Sequence, residues 1–194
     1  MKNLVNYVFE MSQLKLQDHV GWKKIWVEYP EKVAMHVYLA QIIGWILALK
    51  EGADPAKVIM MILIHDNPET RILDLDYIAQ KYNPGKKTAE VNAFNDQTEG
   101  LFQELKASMR DLFAEFMGQE TPESRIAKDA DKLEQSFQAK IYMGTGIPAA
   151  RIWFEESGKL LQTESAKALY EALTQTSYTD WVQALFAKEG MLKK

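Results

Sequence analysis

No cysteine occurs among the 194 residues, so disulfides and thiolate metal sites are both excluded, and any metal must be held by His, Asp and Glu. The absence also fits a reducing cytoplasm. Positive charge is thin as well. A net charge of −4 and a pI near 5.5 argue against a nucleic-acid surface, because affinity for the phosphate backbone comes mainly from clustered Lys and Arg. The pairs Lys23-Lys24, Lys86-Lys87 and Lys193-Lys194 are scattered, as solvated surface is. No apolar run reaches the roughly 18 residues needed to span a bilayer, and Met1 to Glu10 lack the continuous apolar stretch of a signal peptide. The expectation is a soluble cytoplasmic protein with neither membrane nor nucleic acid as partner. A Gly-rich phosphate loop is missing too: Gly144-Thr145-Gly146 follows a helix and lacks the strand, Lys and Ser/Thr context of a P-loop.

What is present is apolar and helical in its period. At 47% hydrophobic, the chain can fill one well-buried core and is short for two. Leu4, Val5, Val8, Met11 and Leu14 or Leu16 recur at spacings of three and four, predicting an amphipathic helix over 1–16. A second helix is predicted from Glu31 to Lys50, stopped by Gly52. A third opens with Asp54 as cap and Pro55 in its first turn and runs through His65. Pro68 disfavours helical geometry at Asn67, so that helix should end or bend just beyond His65-Asp66, beside a loop. After the turn Asn83-Pro84-Gly85, residues 86–117 predict one long helix. The next starts at Thr121-Pro122-Glu123-Ser124 and is ended by Gly144, Gly146 and Pro148; two more are predicted over 162–175 and 178–188. No strand alternation, repeat, low-complexity tract or long linker interrupts them, so the fold class is all-α, a single compact multi-helix domain over 1–194. Trp26, Trp45, Trp153 and Trp181, with the Met residues, are assigned to the helical core.

Polar groups set into these apolar segments carry the chemistry. His36 sits within Val33 to Leu49, and His65-Asp66 ends the run Val58 to Ile64. Buried polar side chains need partners, and a metal suits imidazole nitrogen and carboxylate oxygen together. A further carboxylate could come from either of two positions. Ile126, Ala130, Leu133, Phe137 and Ile141 form an apolar stripe, and Asp129 and Asp131 flank its opposite edges. Asp131 shares its side with Glu134 and Gln138, oxygen-bearing groups that could line or support a metal site, but periodicity leaves the choice open. Singly these motifs are weak, since one His on an apolar helix is more often a hydrogen-bonded core residue and Asp66 could cap a turn. Their order is more telling: a His in one helix, His-Asp ending the next and an Asp in a later one, which helix packing can gather.

These residues resemble the HD-domain phosphohydrolases, and within them the small 5'-deoxynucleotidase-like group, from about Gly21 to Tyr142. The resemblance rests on Gly21-Trp22, on Pro30-Glu31-Lys32-Val33-Ala34-Met35-His36, on Leu63-Ile64-His65-Asp66-Asn67-Pro68-Glu69 and on Lys128-Asp129-Ala130-Asp131-Lys132-Leu133-Glu134. Gln138-Ala139 and Tyr142 extend the last match. It implies an HD-domain fold with a motif-bearing core of about 21–142, a helical extension over about 148–194, and a homodimer. It implies one divalent ion held by His36, His65, Asp66 and Asp131, and so prefers Asp131 to Asp129. Mn, Co, Fe, Ni, Zn and Mg are the candidates, among which the sequence does not choose. It further implies that Glu69 assists proton transfer or orients the attacking water, that Asp74 lies on the substrate side, and that Trp22 packs near the sugar, where a bulky ring disfavours a 2'-hydroxyl.

The implied reaction is hydrolysis of a nucleoside 5'-monophosphate, favouring a deoxynucleotide, with Asp66 and Glu69 as catalytic carboxylates. The ion would combine charge neutralisation with delivery of an activated water. Departures from the family pattern fall outside the metal quartet. Met35 replaces an acidic residue, Leu73 replaces a glycine before Asp74, and Val20 and Gly21 stand where an Arg is common. The last removes an expected phosphate or substrate contact, for which His19, Lys23 and Lys24 are available substitutes. Another phosphate ester, a nucleoside di- or triphosphate, or metal and nucleotide binding without turnover are the alternatives.

Overall fold

Several helices begin on side chains that satisfy their free N–H groups. Asp54 accepts from the amides of Ala56 and Lys57 at 2.9 and 3.3 Å, and Thr121 and Ser124 form a reciprocal capping box. In the computed structural model, which describes residues 1–189, eleven α-helices follow: α1 (Lys2–Met11), α2 (Val33–Glu51), α3 (Pro55–Ile64), α4 (Glu69–Ile72), α5 (Tyr77–Lys81), α6 (Lys86–Glu99), α7 (Gln103–Gly118), α8 (Pro122–Gly144), α9 (Arg151–Lys159), α10 (Glu164–Gln175) and α11 (Asp180–Lys188). Among the described residues there is no strand, only an isolated bridge between Asp18 and Lys32. The pair Lys193-Lys194 and the end of the expected 1–194 domain lie outside the described residues.

The core is built on α2, α3 and α8. Leu47, Ile62 and Leu133 are wholly excluded from solvent, each contributing roughly 1.5–3 kcal/mol by burial. Gly44 lets the three helices close. A Cβ there would stand 2.3 Å from Ile62 Cδ1 and 3.1 Å from Val58 Cγ1, so the helix cost of a mid-helix glycine, about 1 kcal/mol, is offset by packing that alanine would obstruct. The C-terminal helices are part of this body. Leu161 and Ala166 belong to the central cluster, and Phe154 and Leu173 pack with Trp22 and Ala139 in a second one.

The structure corrects several expectations. The helix predicted over 1–16 stops at Met11 and continues as a 3₁₀ segment, Ser12–Lys15. The helix predicted over 86–117 is two, divided at Gly100-Leu101-Phe102. The chain folds back so that Phe94 and Phe113 stack with centroids 4.0 Å apart, whereas 19 residues along one helix would separate them by about 28 Å. Helix α9 is an addition that its short, mixed sequence did not signal. Trp26, Trp45 and Trp181 are 93%, 54% and 68% exposed rather than in the core. Trp26 adopts a left-handed backbone, φ 65°, at the end of the 3₁₀ segment Val20–Ile25. Trp45 lies on the outer face of α2, which is apolar all round. By length and composition α2 is apolar enough to cross a membrane, with a mean hydropathy of 1.5, contrary to the expectation that no segment is. Its inner face is buried against α3 and α8.

Candidate metal centre

Three core elements each bring ligand atoms to one point. His36 projects from the inner face of α2, His65 ends α3, Asp66 stands in the turn that Pro68 imposes, and Asp131 lies within α8. Ligand atoms of His36, His65 and Asp131 lie within 4.8 Å of one another. His36 Nε2 is 3.4 Å from Asp131 Oδ1 and 3.7 Å from Asp66 Oδ2, and His65 Nε2 is 3.1 Å from Asp66 Oδ1. All four sequence-derived ligand candidates therefore meet.

The other nitrogen of each ring is committed elsewhere. His65 Nδ1 lies 2.7 Å from the carbonyl of Ile62, which it can only meet as a donor, leaving Nε2 with its lone pair outward. His36 Nδ1 lies 2.5 Å from Glu134 Oε2, a carboxylate–histidine pairing that orients metal-ligating rings. With Nδ1 donating, the buried Nε2 of His65 finds no hydrogen-bond donor among the described residues, and Asp66 Oδ1 at 3.1 Å faces its lone pair, an arrangement that a cation would satisfy. Burial by itself would depress the His36 imidazolium, yet Glu134, Asp131 and Asp66 hold its pKa well above the usual value. Burial also raises the Glu134 carboxyl, to about 7. Asp131 goes the other way: burial opposes its charge, but Lys128 and Lys132 keep its pKa well below the usual carboxylate range. Surroundings that retain a proton between carboxylates are equally fit to hold a divalent ion, and the two-nitrogen, two-oxygen set suits one.

Asp129, the competitor to Asp131, has a different task. It is fully buried, and its two oxygens accept from the amides of Gln162 and Thr163 and from Thr163 Oγ1 at 2.7–2.9 Å. It anchors the start of α10 to α8, and its loss would leave three donors unpaired at roughly 1–3 kcal/mol each.

Around the centre, Glu69 is buried with Oε2 unpartnered, and burial, then Asp66 and Asp74, push its pKa well above 4.5. Asp74 is buried and accepts from the amide of Val20 at 2.7 Å. Trp22 is buried as well, its Nε1 donating to Glu31 Oε1 at 2.8 Å and its ring meeting Tyr142 edge-on. The same Glu31 oxygen lies 3.2 Å from His19 Nδ1, and the His19 ring packs against His36 with centroids 4.8 Å apart. Of the proposed Arg substitutes, only His19 touches the centre. Lys23 is paired with Asp18, and Lys24 lies 3.5 Å from Asp76. Glu31 went unrecognised as a site residue although it lies within the motif before His36. The positions of Lys128 and Lys132, one turn before Asp131 and directly after it, were signals of their partnership that helix spacing alone left mute.

The chain has relatives among known proteins. The HD domain family matches residues 11–173. The 5'-deoxynucleotidase HDDC2 of Dictyostelium discoideum is 31% identical over 149 residues, 73% of this chain and 78% of that protein. The same-named protein of Xenopus laevis is 30% identical over 144 residues, 73% of this chain and 70% of that one. The solved structure of PH0347 from Pyrococcus horikoshii OT3 superposes with a TM-score of 0.74 at 26% identity, covering 88% of this chain and 96% of that one. With the family match spanning His36, His65, Asp66 and Asp131, and with these relatives sharing most of its length, the chain belongs to the HD domain family.

Proposed function

We propose that this protein is a metal-dependent phosphoric monoester hydrolase that converts a nucleoside 5'-monophosphate, preferentially a deoxynucleotide, to nucleoside and phosphate. The convergence of His36, His65 and Asp131, with the orphaned His65 Nε2 aimed at their common point, carries the proposal. Asp66, by its oxygens 3.1 and 3.7 Å from the two rings, is the fourth ligand. A divalent ion, when bound, supplies charge neutralisation for the phosphate and acidifies a water. Glu134 and the Ile62 carbonyl orient the two imidazoles, so their Nε2 atoms need no rearrangement. Glu69, buried beside Asp66 and Asp74 with Oε2 unpartnered, is placed to pass a proton to the leaving 5'-oxygen. Trp22 acts through Glu31 and His19, bracing the wall on which the sugar lies, and Asp74 fixes the segment at Val20 beside it.

Phosphate release from a panel of ribo- and deoxynucleotides, with Mn²⁺ or Co²⁺ present, tests the assignment. Mono-deoxynucleotides are expected to be the best substrates. Release from none of them by metal-loaded protein would refute it, and preference for di- or triphosphates would move the same centre to the other phosphohydrolase reading.

The protein is proposed to work in the cytoplasm as a homodimer. Met35, Tyr38, Ile42, Trp45 and Leu49 stand exposed on α2 at spacings of three and four, the pattern of a helix–helix seam. Exposed Met60 and Leu63 extend this apolar surface. Light scattering should give twice the chain mass, and Trp45→Glu should yield monomers; a monomeric parent at working concentration overturns this.

A further inference from the structure

Asp131 has two cations where one would balance it. Its Oδ1 faces His36 Nε2 and His65 Nε2 at 3.4 and 4.0 Å, while its Oδ2 faces Lys128 Nζ at 2.7 Å and Lys132 Nζ at 3.3 Å. One carboxylate therefore separates the ligand cluster from a pair of ammonium groups. Away from the ligands, Lys23 and Lys32 share Asp18, Lys24 lies by Asp76 and Lys86 pairs with Glu90. Lys128 and Lys132 share only Asp131 among the described residues.

Their side chains retain 28% and 25% exposure, whereas His36 and Glu134 behind them retain 1%. The two lysine side chains are therefore more open to solvent than the ligands they adjoin. Lys128 is further steered by the Phe116 ring, whose centroid lies 5.1 Å from its Nζ. Charge balance points the same way. The carboxylates of Asp66 and Asp131 already neutralise a divalent ion, so a phosphate monoester arriving with about two negative charges needs two more cations. Val20 and Gly21, directly before Trp22, provide none.

We propose that Lys128 and Lys132 form the phosphate clamp of this enzyme, binding non-bridging phosphate oxygens while they hold Asp131 Oδ2. Two point charges without the planar fork of an arginine recognise charge more than shape, so the clamp selects terminal, dianionic phosphates over monoanionic diesters. The proposal rests on the phosphohydrolase reading of the centre, and its test does not depend on turnover. Inorganic phosphate is titrated calorimetrically into Mn²⁺-loaded protein, alongside Mn²⁺ affinity from chelator competition, for the parent and for Lys128→Gln, Lys132→Gln, the double variant and Lys128→Arg.

Each Gln substitution is expected to weaken phosphate binding about tenfold and the double variant about a hundredfold at saturating metal, with Lys128→Arg close to the parent. KM for the nucleotide should rise more than kcat falls. Unchanged phosphate affinity in the double variant would overturn the clamp, as would a loss that disappears once metal is saturating, which would mean that the lysines only position Asp131. A parent that binds no phosphate overturns it too. Weakened phosphate binding in a protein that hydrolyses no nucleotide would leave the clamp standing and refute the nucleotidase assignment alone.

Discussion

Asp66→Asn is expected to lower metal-dependent phosphate release by a thousandfold or more while changing the stability of the apoprotein little. The substitution keeps the shape of the side chain and removes the charge that stands 3.1 Å from His65 Nε2 and 3.7 Å from His36 Nε2. An amide oxygen is a poorer ligand for a divalent ion and does not balance its charge, so the metal-dependent rise in Tm should shrink with the affinity. In the apoprotein the lost attraction to the His36 imidazolium and the relieved repulsion of Glu69 oppose each other. Among the described residues the Asp66 side chain has no hydrogen-bond partner beyond the ligand cluster, and its charge is one of those that push the Glu69 carboxyl upward. Phosphate release and thermal melts with and without Mn²⁺ measure both effects. Full activity in this variant would remove Asp66 from the centre.

Glu69→Gln should leave metal binding in place and lower kcat by roughly 10²- to 10⁴-fold, the contribution of a positioned proton donor. It should also change the stability of the apoprotein in a pH-dependent way. Burial first, then Asp66 and Asp74, raise the folded pKa of Glu69 well above 4.5. For such a group the stabilisation is complete below the unfolded value and is lost as the pH climbs towards the folded one, because the folded state then binds more protons than the unfolded chain. The parent thus carries a penalty at pH 7–8 that glutamine lacks. The apo Glu69→Gln protein should melt above the parent at neutral pH, and the difference should close towards pH 4. Metal-loaded protein should show less of it, since a nearby cation favours the carboxylate. Retention of parental kcat would exclude the proton-transfer role, and a gain independent of pH would mean that packing rather than charge is responsible.

The sequence was informative where structure is set by neighbours in the chain. Asp54-Pro55 and Thr121-Pro122-Glu123-Ser124 start helices because their side chains reach amides two and three residues on, a geometry internal to the segment. Pro68 ends the helix that carries His65 through its own ring, again locally. The types of ligand were also legible, since imidazole and carboxylate set into very apolar runs demand partners. The break at Gly100-Leu101-Phe102 was not, because Phe94 and Phe113 can draw α6 and α7 together only when both helices exist. Nor could Trp45 be placed: α2 is apolar on every face, so no amphipathic contrast marks the side that meets the core.

Asp129 and Asp131 show most clearly where the division falls. The sequence by itself determined that both would flank the buried stripe of one helix, since 100° per residue fixes their angles. Only the tertiary structure decided that Asp129 would receive the amides of Gln162 and Thr163, while Asp131 would face His36 and His65 with one oxygen and Lys128 and Lys132 with the other. Helix periodicity sets the direction in which a side chain leaves its helix; what stands opposite it is set by how α2, α3, α8 and α10 pack.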